Sequence, residues 1–311
     1  MKSIISLLGD SIVKVNEPAD KHCTFKLGGK LQYFVQPTSL QQFAWCISTL
    51  NAAGVPYKII GNMSNILPSD NLNEGVFICT KKIDEVKVFG NRLVASCGAA
   101  LGQVINIAAN LGLSGLEGLT GIPATIGGAT MNNAGAFGYE TCDHIESVLV
   151  FAGGRVVSIS RASCEFGNHT SKLASKNMVV LEVTFNLRQS TPQIVMQNIK
   201  QFALKRAQLQ PHYPSAGSVF SKAEGVSAGY YIQEAGLKGE IYNGAQISDV
   251  HANFIVNLGG ATADSVKYLI SLAQQKVMQK FGIMLTPEIE ILGETNERYK
   301  FDNANCRLPH P

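Results

Sequence analysis

The first sixty residues alternate between short apolar runs and one longer amphipathic segment, a pattern that predicts a β-α-β unit. "LQYFVQP" and "VPYKII" are typical of strands, the first of them ended by a proline. Between them, "SLQQFAWCISTLNAAG" has the spacing of a helix, with Ser39 as its N-cap and Gly54 at its C-terminal end.

Two strand-turn-strand patterns follow, separated by a helical one. "EVKVFGNRLVASCG" and "IESVLVFAGGRVVSIS" each predict a hairpin, because two apolar runs flank a short turn that contains glycine. "NMVVLEVTFNL" predicts a buried strand. "LGQVINIAANLG" predicts a helix, with one apolar face made of Leu101, Val104, Ile105, Ala108 and Leu111.

The composition changes near Ser190, which marks a third segment. It begins with a helix whose first turn holds Pro192, and it continues with the strand "NFIVN" and the helix "ADSVKYLISLAQQKVMQKFG". "LTPEIEILG" predicts a final strand. We therefore expect an α+β fold with two N-terminal subdomains, a third domain and a C-terminal tail, over 1–74, 75–190, 191–293 and 294–311.

Composition then narrows the functional class. The 311 residues are 45% hydrophobic and 16% charged, with a net charge of +3, which is globular and too weakly basic to indicate nucleic-acid binding. Seven cysteines, an odd number without any CxxC, favour a reducing cytoplasm over disulfides or zinc. The six histidines are scattered, so we expect no metal site, and no apolar run reaches the length of a membrane span.

Two glycine-containing stretches are candidate binding loops. "GIPATIGGATMNNAGAFG" (121–138) is half Gly and Ala and holds no charged residue, and "GNMSN" (61–65) directly follows a predicted strand. Such backbones approach a pyrophosphate or a flat ring closely, and their N–H groups bind anions. A tight packing loop and an ordinary turn are the structural alternatives. Neither stretch has the spacing of a Rossmann GxGxxG or a Walker A motif.

Two polar positions near the C-terminus are weaker candidates on pattern alone. Ser218 follows a glycine in "PSAGSVFSK", which we read as a polar loop without the nucleophile-elbow pattern. Glu288 and Glu290 have strand spacing in "TPEIEILG", so both point to one face. A loop hydroxyl and a solvated strand edge are the default interpretations of these residues.

Taken together and in this order, the stretches resemble the family of UDP-N-acetylenolpyruvoylglucosamine reductases, the flavoenzymes of peptidoglycan precursor synthesis. The resemblance runs from residue 20 to residue 293. Without an obvious insertion in the substrate domain, the chain is similar to the shorter of the family's two subtypes. The matching stretches are "TFKLGG", "GNMSN", "GIPATIGGATMNNAGAFG", "PSAGSVF", "EAGLKG", "GAQISDVHANFIVN" and "PEIEILG".

The resemblance implies a fold and a cofactor. The fold is a two-part FAD-binding domain of the vanillyl-alcohol-oxidase (PCMH) type, followed by a smaller α+β substrate-binding domain. The two glycine-containing stretches would hold the FAD pyrophosphate, and the small residues after them would line the cofactor. The residues implied are Gly61, Asn62, Met63, Ser64, Asn65, Gly121, Thr125, Gly127, Gly128, Ala129, Asn133 and Gly135.

The resemblance also implies a reaction. NADPH reduces FAD, and the flavin then passes a hydride to UDP-N-acetylglucosamine enolpyruvate, giving UDP-N-acetylmuramate. Ser218 matches the family's proton donor, and Glu288 matches its acidic residue near the enolpyruvyl carboxylate. Lys222 and His251 fall at substrate-side positions. We expect a cytoplasmic monomer whose partners are this substrate and NADPH.

The chain departs from the family pattern at the substrate site. Where the family has Tyr-Arg, with the arginine on the substrate carboxylate, this chain has Asn168-His169. Imidazole cannot form the bidentate fork of a guanidinium. After "GSVF" the family commonly has Lys-Asn, and this chain has Ser221-Lys222. The family's methionine before the flavin-loop asparagine is Asn132 here.

Three explanations of the arginine's replacement are open. His169 acts as a protonated substitute, or another cation, such as Lys222, Arg206 or Lys172, has taken the place of the arginine. The third is that the protein is an FAD-binding homologue with weak or no reductase activity. An oxidase or dehydrogenase sharing the FAD domain is disfavoured, since "PSAGSVF" and "HANFIVN" belong to the reductases.

Overall fold

The computed structural model describes residues 4–176 and 178–292, so the predicted tail over 294–311 lies outside the described residues. In this part of the chain the α-helices are α1 (Ile4–Leu8), α2 (Leu40–Ala52), α3 (Leu101–Asn110), α4 (Ile126–Met131), α5 (Lys172–Ser175), α6 (Pro192–Leu209), α7 (Ala228–Glu234) and α8 (Ala263–Phe281). The strands are β1 (Val13–Pro18), β2 (Lys30–Val35), β3 (Tyr57–Ile60), β4 (Ile66–Leu67), β5 (Asn73–Cys79), β6 (Val86–Phe89), β7 (Arg92–Ser96), β8 (Leu113–Ser114), β9 (Gly135–Ala136), β10 (Tyr139–Glu140), β11 (Ile145–Ala152), β12 (Arg155–Ser160), β13 (Val179–Asn186), β14 (Arg188–Gln189), β15 (Ser215–Ser218), β16 (Ile241–Tyr242), β17 (Ala245–Ile247), β18 (Phe254–Asn257) and β19 (Glu290–Ile291).

The predicted β-α-β unit is present. Its two strands, β2 and β3, belong to one four-stranded sheet of order β1-β2-β5-β3. Strand β5 lies between them and pairs with β3 in parallel. Helix α2 begins after Ser39, whose hydroxyl accepts a hydrogen bond from the N–H of Gln42 at 3.2 Å. Gly54, with φ of 66°, follows the helix end in the left-handed region. Local capping chemistry thus set both ends of α2 as expected.

Both predicted hairpins belong to one five-stranded sheet. Its order is β12-β11-β13-β7-β6, and all four of its strand pairs are antiparallel. The predicted buried strand is β13, which lies at the centre of the sheet. Helix α3 also forms, but one residue of its predicted apolar face is misplaced. Leu111 follows the helix and is 50% exposed, because the chain turns away at Gly112.

The chain divides into two compact units. Unit 1 consists of residues 4–14, 33–62 and 75–206, and unit 2 of residues 15–32, 63–74 and 207–292. Unit 1 has one continuous apolar core that includes Phe43 and Ile47 of α2, Val104 of α3, and Val183 and Phe185 of β13. The predicted boundaries 1–74, 75–190 and 191–293 remain a prediction.

Unit 2 contains the four-stranded sheet β15-β18-β17-β16, with α8 packed on β17 and on α7. Helix α8 begins at a capping box, in which Thr262 accepts from the N–H of Ser265. The carboxylate of Asp70 accepts two more N–H groups at the same helix start, from Ala263 at 2.8 Å and Asp264 at 3.1 Å. A remote segment of the unit therefore fixes the start of its longest helix.

Two further observations concern cysteines and membranes. The six cysteines of the described residues are buried free thiols; the seventh, Cys306, lies outside them. None of the helices described here is both long and apolar enough to cross a bilayer.

Candidate functional site

The loop Gly61–Asn65 begins where β3 ends, and its first residues lie against the Gly/Ala stretch. The amide of Asn62 donates to the carbonyl oxygen of Pro123 at 2.8 Å. Gly61 is required by space, because an added Cβ would lie 2.2 Å from Oγ1 of Thr125. Met63 has φ of 47°. These residues form a tight, preformed turn.

The Gly/Ala stretch contains a short helix rather than a continuous loop. Helix α4 is capped by the hydroxyl of Thr125. The N–H of Gly127 donates to the carbonyl oxygen of Cys97 at 2.7 Å, and a Cβ at Gly127 would lie 3.0 Å from Cys97. Gly128 is exposed and has only Thr125 Oγ1 near its Cβ position. Gly127 thus packs against Cys97, directly after β7, and Gly128 leaves an open surface.

Asn133 joins the end of this stretch to two other segments. It is 1% exposed, and its side-chain amide donates to Glu140 Oε2 at 2.8 Å and to the carbonyl oxygen of Gly167 at 2.9 Å. Its Oδ1 accepts from the N–H of Cys142 at 3.1 Å. Ala129 is buried, and Gly135 begins the two-stranded β9-β10 ribbon. The loop is held rigidly from within the protein.

His169 lies at the tip of a tight turn beside this loop. Gly167 and Thr170 pair with each other, so Asn168 and His169 occupy the two central positions, and His169 has φ of 52°. The hydroxyl of Ser171 donates to the carbonyl oxygen of Met131 at the end of α4, at 2.7 Å. Together with the Asn133–Gly167 bond, this contact holds the turn to the Gly/Ala stretch. His169 is exposed.

Two of the three alternative cations lie in the same unit, and both have other contacts. Lys172 forms an ion pair with Glu165. Arg206 donates from Nε to the carbonyl oxygen of Thr120 at 2.7 Å, and its Cδ would lie 2.6 Å from a Cβ at Gly121. Burial lowers the pKa of the Arg206 guanidinium. Arg206 therefore packs against the base of the loop at Gly121, and His169 is the basic group at the turn.

In unit 2, Ser218 is the last residue of strand β15, so our interpretation of its surroundings as a polar loop was wrong. Ser215 pairs with Val256 and Ser218 with Phe254, which leaves one extra residue on β15 and makes a β-bulge. Gly217, with φ of 78°, takes the left-handed conformation within it. A bulge redirects the side chains beside it, and Ser218 is exposed.

Glu288 is brought next to this strand by backbone pairing. Its N–H donates to the carbonyl oxygen of Val219 at 2.7 Å, and Phe220 pairs with Pro287 in an isolated antiparallel bridge. Ser218 and Glu288 are 70 positions apart in the sequence, yet each is at most one residue from this hydrogen bond. The structure therefore brings the backbones of the two predicted catalytic residues close together in unit 2.

The segment that carries Glu288 differs from the predicted strand in two respects. Only Glu290 and Ile291 form β19, which pairs in parallel with β4. Glu288 and Glu290 are half-buried, so the solvated-edge interpretation was wrong. The side chain of Asn65 donates to the carbonyl oxygen of Glu288 at 3.3 Å, and its own carbonyl accepts from Glu290 N–H at 2.9 Å. Asn65 thus holds the acidic segment within unit 2.

The two predicted substrate residues differ in their surroundings. Lys222 is exposed, beside a tight turn closed by Ala223 and Val226. His251 is partly buried, and its Nδ1 accepts from the N–H of Asn253 at 3.2 Å. Burial is the main cause that lowers the pKa of His251; a backbone hydrogen bond raises it by less, and the charge of Lys238 adds the smallest lowering effect. The neutral imidazole, with Nδ1 as acceptor, is the form that this geometry favours.

We expect the stability of the protein to fall in acid partly through His251. Because its folded pKa is below the ordinary value near 6.5, the unfolded chain binds more protons between the two values. This contribution is present above pH 6.5 and is lost as the pH falls through the folded pKa. Thermal unfolding of wild type and His251→Gln from pH 8 to pH 5 measures it.

The Gln variant should lose less stability on acidification than the wild type. His212→Gln, at an exposed histidine of the same unit, is the matched control and should follow the wild type. Equal acid slopes for His251→Gln and the wild type would contradict the assignment.

Two buried polar residues were missed by sequence reasoning. Asn253 binds the backbone of Phe220 with both ends of its amide. Glu117 is 2% exposed and accepts from the Gly115 N–H at 2.6 Å and the Ser114 hydroxyl at 2.7 Å. The only sequence feature that points to Asn253 is its position as a polar residue directly before an apolar strand. No sequence feature points to Glu117.

One group of possible metal ligands occurs within the described residues, formed by Glu140, Cys142 and Asp143. Its atoms already have protein partners. Glu140 accepts from Asn133, Asp143 accepts from the Glu140 N–H at 2.8 Å, and the Arg161 guanidinium lies 3.7 Å from Cys142 Sγ. The arrangement is that of a hydrogen-bonded turn.

The sequence was compared with protein-family models, and the matches cover both parts of the chain. The chain matches the model of the UDP-N-acetylenolpyruvoylglucosamine reductase C-terminal domain over residues 210–292 and that of an FAD binding domain over residues 31–160. It is 40% identical to UDP-N-acetylenolpyruvoylglucosamine reductase of Clostridium botulinum strain Hall, over 93% of this chain and 95% of the relative.

Two other relatives give the same result. The reductase of Caldicellulosiruptor bescii is 42% identical over 90% of both chains. The crystal structure of the Thermus caldophilus reductase superposes with a TM-score of 0.78 at 31% identity, over 90% of this chain and 98% of that one. These matches confirm the predicted α+β fold with an FAD-binding domain and a C-terminal reductase domain.

Proposed function

The chain belongs to the family of UDP-N-acetylenolpyruvoylglucosamine reductases, and we propose that Ser218, Glu288 and His169 act on its substrate. It is an FAD-dependent oxidoreductase that reduces UDP-N-acetylglucosamine enolpyruvate to UDP-N-acetylmuramate with NADPH, in peptidoglycan synthesis. Bound FAD supplies hydride transfer, from NADPH to the enolpyruvyl double bond. The protein's own residues must position the substrate, stabilise the charge that develops beside the carboxylate, and deliver one proton.

The described residues fit FAD. The backbone N–H groups of Met63 and Ser64 donate no hydrogen bond within the described part of the chain, and they lie in a turn suited to an anion. The Thr130 hydroxyl in α4 is fully buried, without a hydrogen-bond partner among the described residues. Unused polar groups of this kind need a partner, and a bound cofactor would supply one.

We assign the cofactor contacts accordingly. Gly61, Asn62, Met63, Ser64 and Asn65 would hold the pyrophosphate together with Gly121, Thr125, Gly127 and Gly128. Ala129, Asn133 and Gly135 would line the rest of the cofactor. The exposed Gly128 supports this assignment, because its backbone offers an open surface. Lys222 and His251 are the proposed substrate contacts.

One observation supports the catalytic assignment above the others, namely the hydrogen bond from Glu288 N–H to the Val219 carbonyl. It brings the backbone of Glu288, a half-buried residue, to the residue directly after the exposed Ser218. A serine hydroxyl is a weak acid, so it suits a strongly basic carbon centre as proton donor. Glu288 would stabilise the enol form of the substrate's carboxylate end.

His169 is our proposed partner of the substrate carboxylate. We expect His169→Arg to speed flavin reoxidation by substrate by roughly tenfold or more, since a charge-assisted bidentate contact is worth about 1.5–3 kcal/mol. His169→Ala should slow it. The measurement is anaerobic stopped-flow absorbance, in which protein reduced by NADPH is mixed with UDP-N-acetylglucosamine enolpyruvate.

Asn168→Arg is the matched control, because it places a guanidinium one residue away on the same turn. A similar gain in that variant would indicate a general charge effect instead. If all variants and the wild type reduce with NADPH and none is reoxidised by substrate, the chain is instead an FAD-binding homologue with little reductase activity.

The cellular setting is also a proposal. The six described cysteines are free thiols, which supports a reducing cytoplasm. The protein is also proposed to be a monomer. Through peptidoglycan synthesis the enzyme would contribute to cell-wall biogenesis, cell shape and cell division.

A further inference from the structure

Asn253 makes a set of contacts that is unusual for a strand-edge residue. It is 6% exposed, and its Oδ1 accepts from the Phe220 N–H at 3.0 Å while its Nδ2 donates to the Phe220 carbonyl at 2.8 Å. Its own carbonyl accepts from the Val219 N–H at 2.8 Å. Two consecutive residues after Ser218 are therefore bound by one asparagine.

The side chain of Asn253 replaces a missing stretch of strand. Strand β18 starts at Phe254, and the chain before it turns away, with His251 Nδ1 accepting the Asn253 N–H. No β18 backbone is left to pair with Phe220, which is 2% exposed and so out of reach of solvent. An amide has a donor and an acceptor in the geometry of a peptide, so it extends the ladder by one more residue.

The N–H and carbonyl groups of Val219 connect Asn253 to Glu288 through two backbone hydrogen bonds. The Val219 N–H is bound by Asn253, and its carbonyl is bound by the Glu288 N–H. On the other side, the bulge at Gly217 interrupts the regular pairing of β15 with β18 directly before Ser218. A fixed point is needed directly after the bulge if the hydroxyl is to have one direction.

We propose that Asn253 is a positioning residue that aligns the Ser218 hydroxyl with Glu288 for proton delivery to the substrate. This inference rests on the proposed role of Ser218. Asn253 itself does not contact the reacting atoms; it acts through the Val219-Phe220 backbone. Displacement of a reacting group by about 1 Å costs on the order of 100-fold in rate, which sets the expected effect.

The test uses the FAD-loaded protein with Asn253→Ala and Asn253→Asp. Asn253→Ala removes both side-chain hydrogen bonds and should slow flavin reoxidation by substrate on the order of 100-fold. Reduction by NADPH should change less than about twofold, because hydride transfer to the flavin needs no proton from Ser218. Asn257→Ala is the matched control: Asn257 is equally buried and also binds backbone, but of Phe25, Lys26 and Gly259.

The pH dependence of flavin reoxidation in Asn253→Asp distinguishes a positioning role from a merely structural one. Ionised aspartate accepts from the Phe220 N–H but repels the Phe220 carbonyl, whereas the protonated carboxyl group donates to it as the amide does. The reoxidation rate of this variant, relative to wild type, should therefore rise as the pH falls. Asn253→Ala should show no such rise.

Introducing Asn253→Ala into the Ser218→Ala variant distinguishes the positioning role of Asn253 from the proton-donor role of Ser218. If Asn253 acts through Ser218, adding Asn253→Ala to Ser218→Ala slows reoxidation by less than about threefold more, since coupled sites are not additive. Full additivity, or an effect of Asn257→Ala equal to that of Asn253→Ala, overturns the positioning role. If Ser218→Ala itself reoxidises at the wild-type rate, it is the proposed proton donor that fails.

Discussion

Ser218→Ala should leave the protein yellow and reducible by NADPH, while reoxidation of its flavin by UDP-N-acetylglucosamine enolpyruvate slows by about 10²–10⁴-fold. This range is the usual contribution of a positioned general acid. The hydroxyl is exposed at the end of a bulged strand, so its removal leaves no buried group unsatisfied and no cavity. The loss should therefore appear in the rate and not in the melting temperature.

Ser221→Ala is the matched control for this prediction. Ser221 lies three residues further along the same segment, and its hydroxyl donates to the Thr286 carbonyl at 3.3 Å. It should keep the wild-type reoxidation rate within about threefold, because its hydroxyl is bonded to the Thr286 carbonyl and is not the proposed proton donor. A Ser218→Ala protein that reoxidises at the wild-type rate would require another proton donor, and solvent isotope effects on both half-reactions would then locate it.

Gly61→Ala should be the most damaging single change for cofactor binding. Its Cβ would lie 2.2 Å from Thr125 Oγ1 and 3.1 Å from Thr125 Cγ2. Thr125 is 3% exposed and caps α4, so it has little room to move. Overpacking of this kind costs about 1–3 kcal/mol. Because the strain falls on both proposed pyrophosphate loops, we expect FAD affinity to fall by roughly 10- to 100-fold.

A second-site change tests this mechanism directly. Gly61→Ala combined with Thr125→Ala removes the closest contact. Relative to Gly61→Ala alone it should regain part of the lost FAD affinity, because relief of the overlap outweighs the loss of the helix cap and of the Thr125 hydroxyl at the proposed site. Gly102→Ala is the control, because an added Cβ there meets nothing within 4 Å. Flavin absorbance per protein and titration of the cofactor-free protein with FAD measure both effects. If Gly61→Ala retains full affinity, the loop does not bind the cofactor as proposed.

Local signals explain why many elements could be predicted. Helix α2 has a serine cap and a terminal glycine, and the two hairpins of the large sheet have glycine turns between alternating apolar runs. Leu111 shows the limit of such signals. Its spacing fits the apolar face of α3, but a residue at the helix end follows the turn of the backbone and not the helical period.

The surroundings of the catalytic candidates were mispredicted for a physical reason. "PSAGSVF" is rich in small and polar residues, which favours a loop locally. Its residues 215–218 form a strand because β18 supplies their hydrogen-bond partners, and the Glu288 segment supplies a partner for the next residue, Val219. Those partners are 35 or more positions away in the sequence, so no local pattern reports them.

The sequence by itself determined the β-α-β unit, the two hairpins of the large sheet, the capped ends of α2, the family and the residue types at the site. Those features depend on side-chain periodicity, turn chemistry and motif order, which are local properties of the chain. Only the tertiary structure decided that Ser218 stands next to Glu288, that Asn253 holds the backbone between them, and that Arg206 packs on Gly121. These contacts join distant segments, and they form because a buried peptide group must find a hydrogen-bond partner wherever the fold provides one.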